Sequence, residues 1–279
     1  MQIFHESSVY VENWLFMQSH VKEESLTDWL LYSISSKLSN IYYKAFSRHE
    51  ESINGSDWEW WVLCGETNDY IAFRFLVQAK KLLVNPLDNY PILNYGNKNG
   101  LQIELLLNEA RYRRAFPFYM FYSNSKPEIS EQIKNIDFIS APSLRWCTDC
   151  SNGCFLSSAY NIFHLLYDSP RRLISDIDLL NYSFKLSLLD KLIGNSGTKS
   201  KTIMARLNKF IMESVDIKNE MRSIGEFGIL HNIKQMPSYL RLFVNRHQEN
   251  LDWLESEMRY EIGNLGGLGV IDLRNNSYK

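Results

Sequence analysis

Apolar and polar residues along this 279-residue chain fall into blocks whose period changes several times. In "LTDWLLYSISSKL", from Leu26, apolar positions recur at helical spacing, and Ser25-Leu26-Thr27-Asp28 reads as a capping box that opens the helix. "DWEWWVLC" and "YIAFRFLVQA" are dense in aromatic and β-branched residues and read as strands. The turn-forming "GETND", residues 65–69, lies between them and predicts an antiparallel hairpin. Helical spacing returns in "GLQIELLLNEARYRRA", and "FPFYMFYS", residues 116–123, predicts a buried strand. Helix, strand, strand, helix, strand is an α/β order.

From Cys154 the pattern changes. "FLSSAYNIFHLLY", "DIDLLNYSFKLSLLDKLI", "KTIMARLNKFIMESV" and "NLDWLESEMRYEI" all read as helices, and "GGLGVIDLR" as one more strand. The expectation is an α/β domain over residues 1–145 followed by a mainly helical region over 146–279. That second region forms either its own lobe or a cover on the same sheet.

Composition narrows the classes. At 45% hydrophobic and 14% aromatic, the chain can bury a substantial core. Thirty basic residues against 32 acidic ones give no global nucleic-acid signal, so such binding would need a local patch. "MQIFHESSVYVENWLF" does not read as a signal peptide, and no apolar run of about 18 residues occurs, so no membrane span is expected. Four cysteines do not make a dense disulfide framework, and a reducing cytoplasm is the simplest compartment. Cys147, Cys150 and Cys154 have a C-x2-C-x3-C spacing, but a structural zinc site wants a fourth ligand, which only His164 or Cys64 could supply. Small-residue packing ahead of a helix explains the same spacing. "GNLGGLGV" precedes a strand rather than joining a strand to a helix, so it reads as a turn and not a dinucleotide loop.

The chemistry sits at one end of the hairpin. Residues two apart in a strand share a face, so Asp57 and Glu59 point one way, as do Gln78 and Lys80. Counting outward from the turn puts Asp57 opposite about Gln78, with Glu59 and Lys80 within a rung or two. Two carboxylates, an amide and an ammonium then gather. Carboxylates hold a hard divalent cation such as Mg2+ or Mn2+, the cation acidifies a bound water, and a Lys stabilises charge developing on a phosphate. A strand-end salt bridge among Asp57, Glu59 and Lys80 fits the spacing equally well. Lys81, Arg111, Arg113 and Arg114, with Tyr112 among the arginines, read either as a phosphate-binding patch or as a solvated helix end whose cations suit the C-terminal dipole.

"GSD" followed about twenty residues later by "VQAK" at a strand end resembles the PD-(D/E)XK nuclease superfamily. The nearest branch is that of Mrr-like restriction endonucleases, in which the second motif reads Gln-x-Lys. The chain is also similar to an uncharacterised bacterial family with a Gly-x-Asp-Trp-Glu-Trp-Trp signature found in defence loci. The resemblance covers roughly the first 125 residues and implies a restriction-endonuclease-like core, a central mixed sheet flanked by helices. It implies Asp57 and Gln78 as metal ligands, Lys80 as the catalytic lysine, and a Glu from the preceding helix. Glu24 is the first choice for that Glu, with Glu23, Glu50 and Glu51 as other registers. It further implies cleavage of nucleic acid, DNA above all, in restriction or antiphage defence. A homo-oligomer or a defence-system partner protein stays open. Gln78 supplies no charge, so Glu59, on the face of Asp57, is the expected replacement for the missing carboxylate. The contrary expectation is a nuclease fold that has lost catalysis and serves as a binding or assembly module.

Overall fold

The computed structural model describes residues 2–46, 55–66, 69–82, 96–97, 100–124, 153–168, 176–193, 200–214, 237–246, 253, 256, 260–263 and 265–275. The chain opens with two helices, α1 (Ile3–Met17) and α2 (Glu23–Lys37), and then β1 (Ile41–Ala45). The long hairpin follows as β2 (Trp58–Glu66) and β3 (Asp69–Lys81). A short ladder of β4 (Gly96–Asn97) and β5 (Gly100–Leu101) leads into α3 (Gln102–Arg113) and β6 (Phe116–Tyr122). Beyond these come β7 (Cys154–Ser158), α4 (Ala159–Asp168), α5 (Asp176–Asn181), β8 (Ser183–Lys185), α6 (Leu188–Ile193), α7 (Ser200–Glu213), α8 (Ser238–Arg246) and β9 (Gly267–Asn275).

Seven of the strands make one mixed sheet in the order β1-β9-β2-β3-β6-β7-β8. The protein is therefore an α/β protein with a mixed sheet flanked by helices. The alternation of strand side chains sets the layers. Trp58, Trp60 and Val62 point into one core with α1, α2, α6 and α7. Trp61 and Leu63 point into the other with α3, α4, α5 and α8. Burial on both faces explains why "DWEWWVLC" carries large apolar residues at successive positions, with Asp57 and Glu59 the buried exceptions.

The hairpin register pairs Trp58 with Val77 and ends at Glu66 opposite Asp69. β3 then runs parallel to β6, with Gln78 beside Tyr119. β9 lies between β1 and β2, antiparallel to the first and parallel to the second. Gly269 allows this insertion, because a Cβ there would lie 2.3 Å from Cδ1 of Trp60, whose ring crosses β9. Residues on both sides of position 145 thus share one sheet.

Several expected boundaries differ. The segment from Cys154 begins as a strand and turns helical only at Ala159. "DIDLLNYSFKLSLLDKLI" is not one helix but two short ones around β8, because Ser183 to Lys185 pair with Ser157 to Phe155 at the edge of the sheet. α2 starts at Glu23, before the expected capping box, and its N-cap Lys22 makes no side-chain cap bond. Most of "NLDWLESEMRYEI" and the expected boundary at residues 145–146 lie outside the described residues.

Candidate functional site

Asp57 stands one residue ahead of β2, and its backbone fixes it from both neighbours. Its N–H donates to the Val77 carbonyl at 2.8 Å, and its own carbonyl accepts from the Gly266 N–H at 2.6 Å. Asp57 thus extends the ladder to the rung of Gln78. Its Oδ2 accepts from the Ala79 N–H at 2.7 Å and from Gln78 Nε2 at 2.5 Å. Gln78 Nε2 also donates to the Ala79 carbonyl at 3.1 Å, while Gln78 Oε1 accepts from Gln102 Nε2 at 2.9 Å. Asp57 is 7% exposed and Gln78 1%.

Glu23 reaches the same strand end from the first residue of α2. Its Oε2 accepts from the Lys81 N–H at 2.7 Å, and its Oε1 lies 3.8 Å from Lys80 Nζ. Burial pushes the Glu23 carboxyl up to about 7, against the pull of Lys80 and with a further push from Asp57. Three bonds hold α2 and the loop before it in this position. Thr27 Oγ1 meets the Tyr122 hydroxyl at 2.8 Å, and Lys81 Nζ donates to the carbonyls of Ser19 and Val21 at 3.0 and 2.7 Å. The Tyr119 hydroxyl is buried with no hydrogen-bond partner among the described residues, and the charge of Asp57 raises its pKa beyond what burial does.

The structure therefore brings together Asp57, Gln78, Lys80 and Glu23. It does not bring in the other expected residues. Glu24 is exposed beside Glu23, because the register of α2 turns Glu23 to the strands. Glu50 and Glu51 lie outside the described residues. Glu59 is fully buried in a different network, its Oε1 accepting from Arg74 Nε at 2.5 Å. Glu59 Oε2 accepts from Trp61 Nε1 at 2.7 Å and from the Tyr239 hydroxyl at 2.6 Å. Arg74 completes that network through the Arg113 carbonyl and the Tyr239 hydroxyl, and lies 4.9 Å from the Trp61 ring centre. A carboxylate so engaged is spoken for, and Glu59 does not replace the missing charge.

The basic residues part company too. Lys81 clamps the α1–α2 loop. Arg113 pairs with Glu109 and donates to the carbonyls of Glu261 and Ile262. Arg111 and Arg114 are exposed at the far end of α3, about 13 Å or more along the axis from Gln102 at 1.5 Å per residue. Cys147 and Cys150 lie outside the described residues, while Cys154 is a buried free thiol in β7.

Gln102 is the residue that sequence reasoning left unassigned, and Gly55 is its counterpart. Gly55 has φ +71°, and a Cβ on it would lie 2.5 Å from the Gln102 carbonyl and 2.6 Å from the Leu106 N–H. The glycine of "GSD" thus lets the backbone before Asp57 lie flat on the first turn of α3, which delivers Gln102 to Gln78. The Gly-x-Asp spacing was the available signal.

Among the described residues no group of three His, Cys, Asp or Glu side chains forms a metal cage. Two carboxylates and an amide do match the hard oxygen donors that Mg2+ takes, since Mg2+ keeps several waters and commonly uses one or two protein carboxylates plus substrate phosphate. By residue type the donors at this strand end fit such an ion, with the Gln78 amide turned so that its nitrogen faces Asp57.

The chain belongs to a family of unknown function, DUF6615, which matches it over residues 1–263. No curated protein and no solved structure matches it.

Proposed function

We propose that this member of the family is a divalent-metal-dependent nuclease that hydrolyses phosphodiester bonds, with Asp57, Gln78, Lys80 and Glu23 as its site. The observation that carries the reading is the meeting of an acid from α2 with the Asp57–Gln78–Lys80 strand end. Asp57 and Glu23 would hold Mg2+ or Mn2+ with the Gln78 amide oxygen. The ion, when bound, supplies an acidified water and a counter-charge for phosphate. Lys80 adds positive charge beside Glu23 where the phosphate gains negative charge. Glu23, its carboxyl lifted to about 7 by burial, would give up its proton when it takes the ion.

DNA as the substrate and antiphage defence as the setting come from the resemblance. The donor geometry of Gln78 favours one second reading, a nuclease fold that binds without cutting, because its amide nitrogen rather than its oxygen faces Asp57. Plasmid cleavage with Mg2+, with Mn2+ and with chelator separates the two. Wild-type protein should cut with either metal. Asp57→Ala and Lys80→Ala should each lose roughly a hundredfold or more, the scale of removing one preorganised electrostatic group. Thermal melts check that both variants fold. Binding of plasmid without any metal-dependent cutting would establish the second reading instead.

A further inference from the structure

We propose that Gln78 and Gln102 form a two-position amide pair that gates the cation site, with Gln102 as the positioning residue. The inference rests on the reading that Asp57 and Gln78 hold a divalent cation. Its basis is the chemistry of the donors. Asp57 Oδ2 and the Ala79 carbonyl only accept, and both lie within hydrogen-bond distance of one end of the Gln78 amide, so that end is the NH2. The other end, the oxygen, accepts from Gln102 Nε2 at 2.9 Å. In this arrangement Gln78 is a donor to the very carboxylate it would join as a ligand, and its NH2 holds the place of the ion.

Turning the Gln78 amide exchanges its ends. Its oxygen then faces Asp57 and its NH2 faces residue 102. A residue that could only donate, or only accept, would satisfy one of these two arrangements. A glutamine satisfies both by turning its own amide, offering NH2 in the closed arrangement and oxygen in the open one. Gln78 is 1% exposed, so its amide cannot leave for water, and the partner on α3 decides which end points inward. Gly55 keeps that partner in place by letting the strand end pack on the first turn of α3.

Substitutions at position 102 therefore have opposite signs. Gln102→Glu accepts only, favours the open arrangement and should tighten Mn2+ binding roughly fivefold or more, the scale of one hydrogen bond. Gln102→Lys donates only, favours the closed arrangement and should weaken binding by a similar factor. Charge at position 102 acts in the same direction, and a double-mutant cycle removes it. In a Gln78→Glu background there is no amide to turn, so the tightening by Gln102→Glu should shrink or reverse.

The measurements are Mn2+ titration by electron paramagnetic resonance, with Mg2+ competition, and the Gln78 side-chain amide signals in 15N nuclear magnetic resonance. Residue 102 is half-buried at a helix start, and melts confirm that each variant folds. The expected result is opposite shifts for the two variants, loss of the Glu effect in the Gln78→Glu background, and a move of the Gln78 amide signals when Mg2+ is added. Equal Glu effects in both backgrounds, or Gln78 amide signals unmoved while the ion binds, overturn the gate and leave the metal site standing. No Mn2+ binding that Asp57→Asn removes overturns the metal site and the gate with it.

Discussion

Burial lifts the Glu23 carboxyl to about 7 from an ordinary 4.5, and this fixes the sign of a pH effect. A carboxyl whose folded-state pKa is raised holds its proton more tightly when folded. Its ionisation therefore costs stability as pH climbs from 4.5 towards 7, and the cost is complete above that. Glu23→Gln should remove this slope and leave the protein more stable than wild type at pH 8, by on the order of 1–2 kcal/mol once partial exposure is allowed for. Urea unfolding at pH 5 and pH 8 measures it, and parallel curves for the two proteins would sink the argument. Glu59 makes the opposite case. Its carboxylate is buried against Arg74, so Arg74→Met leaves a buried charge without its partner and should cost about 3–5 kcal/mol. Glu59→Gln should destabilise the fold while leaving Mn2+ affinity near wild type, which a melt and a metal titration on the same sample will separate. Sequence placed Asp57 opposite Gln78 correctly, because a hairpin's register follows from its turn. It assigned Glu59 to the site wrongly, because the face of a strand does not reveal that an arginine fifteen residues on and a tyrosine from α8 already occupy it.

At the scale of elements, the strand end and the first turn of α3 are built as one unit. Gly55→Ala places a Cβ against the Gln102 carbonyl at a backbone angle that disfavours side chains, at a cost of about 1–3 kcal/mol. It should also disturb the proposed metal site, because α3 must shift and take Gln102 with it. Gly269→Ala is the comparison, since its Cβ meets the Trp60 ring and not α3. The two variants should lose similar stability by chemical denaturation, with metal affinity falling more in Gly55→Ala. Equal losses of affinity would break the link between the glycine and Gln102. The hairpin, α3, β6 and β9 were legible because each carries a long, unmixed period. α1 was not, because Ser7 and Ser8 stand among its buried positions and break the apolar stripe. β7 and β8 were absorbed into helices for a related reason. Their runs are short, and a short apolar run fits either period.

For the whole molecule, what sequence could not reveal was the neighbour of β9. A strand carries its own pattern but not the identity of its partners, and Gly267 pairs with a residue as distant as Trp58. Among the described residues, removing β9 would leave β1 without its only ladder and β2 without one of two. A variant ending at residue 264 should therefore lose cooperative thermal unfolding, whatever helices it keeps by circular dichroism. The placement of β9 also bears on the order in which a ribosome makes the chain. β1 and β2 emerge early and cannot close on each other, because the place between them belongs to a strand translated some two hundred residues later. Through most of synthesis the nascent sheet has two waiting edges of backbone donors and acceptors, the kind of surface that invites other strands. A pause or a premature stop before Gly267 would leave that gap open. The Gly266 N–H that holds the Asp57 carbonyl would be missing as well, so an unfinished chain would be prone to aggregation before it could assemble its acidic site.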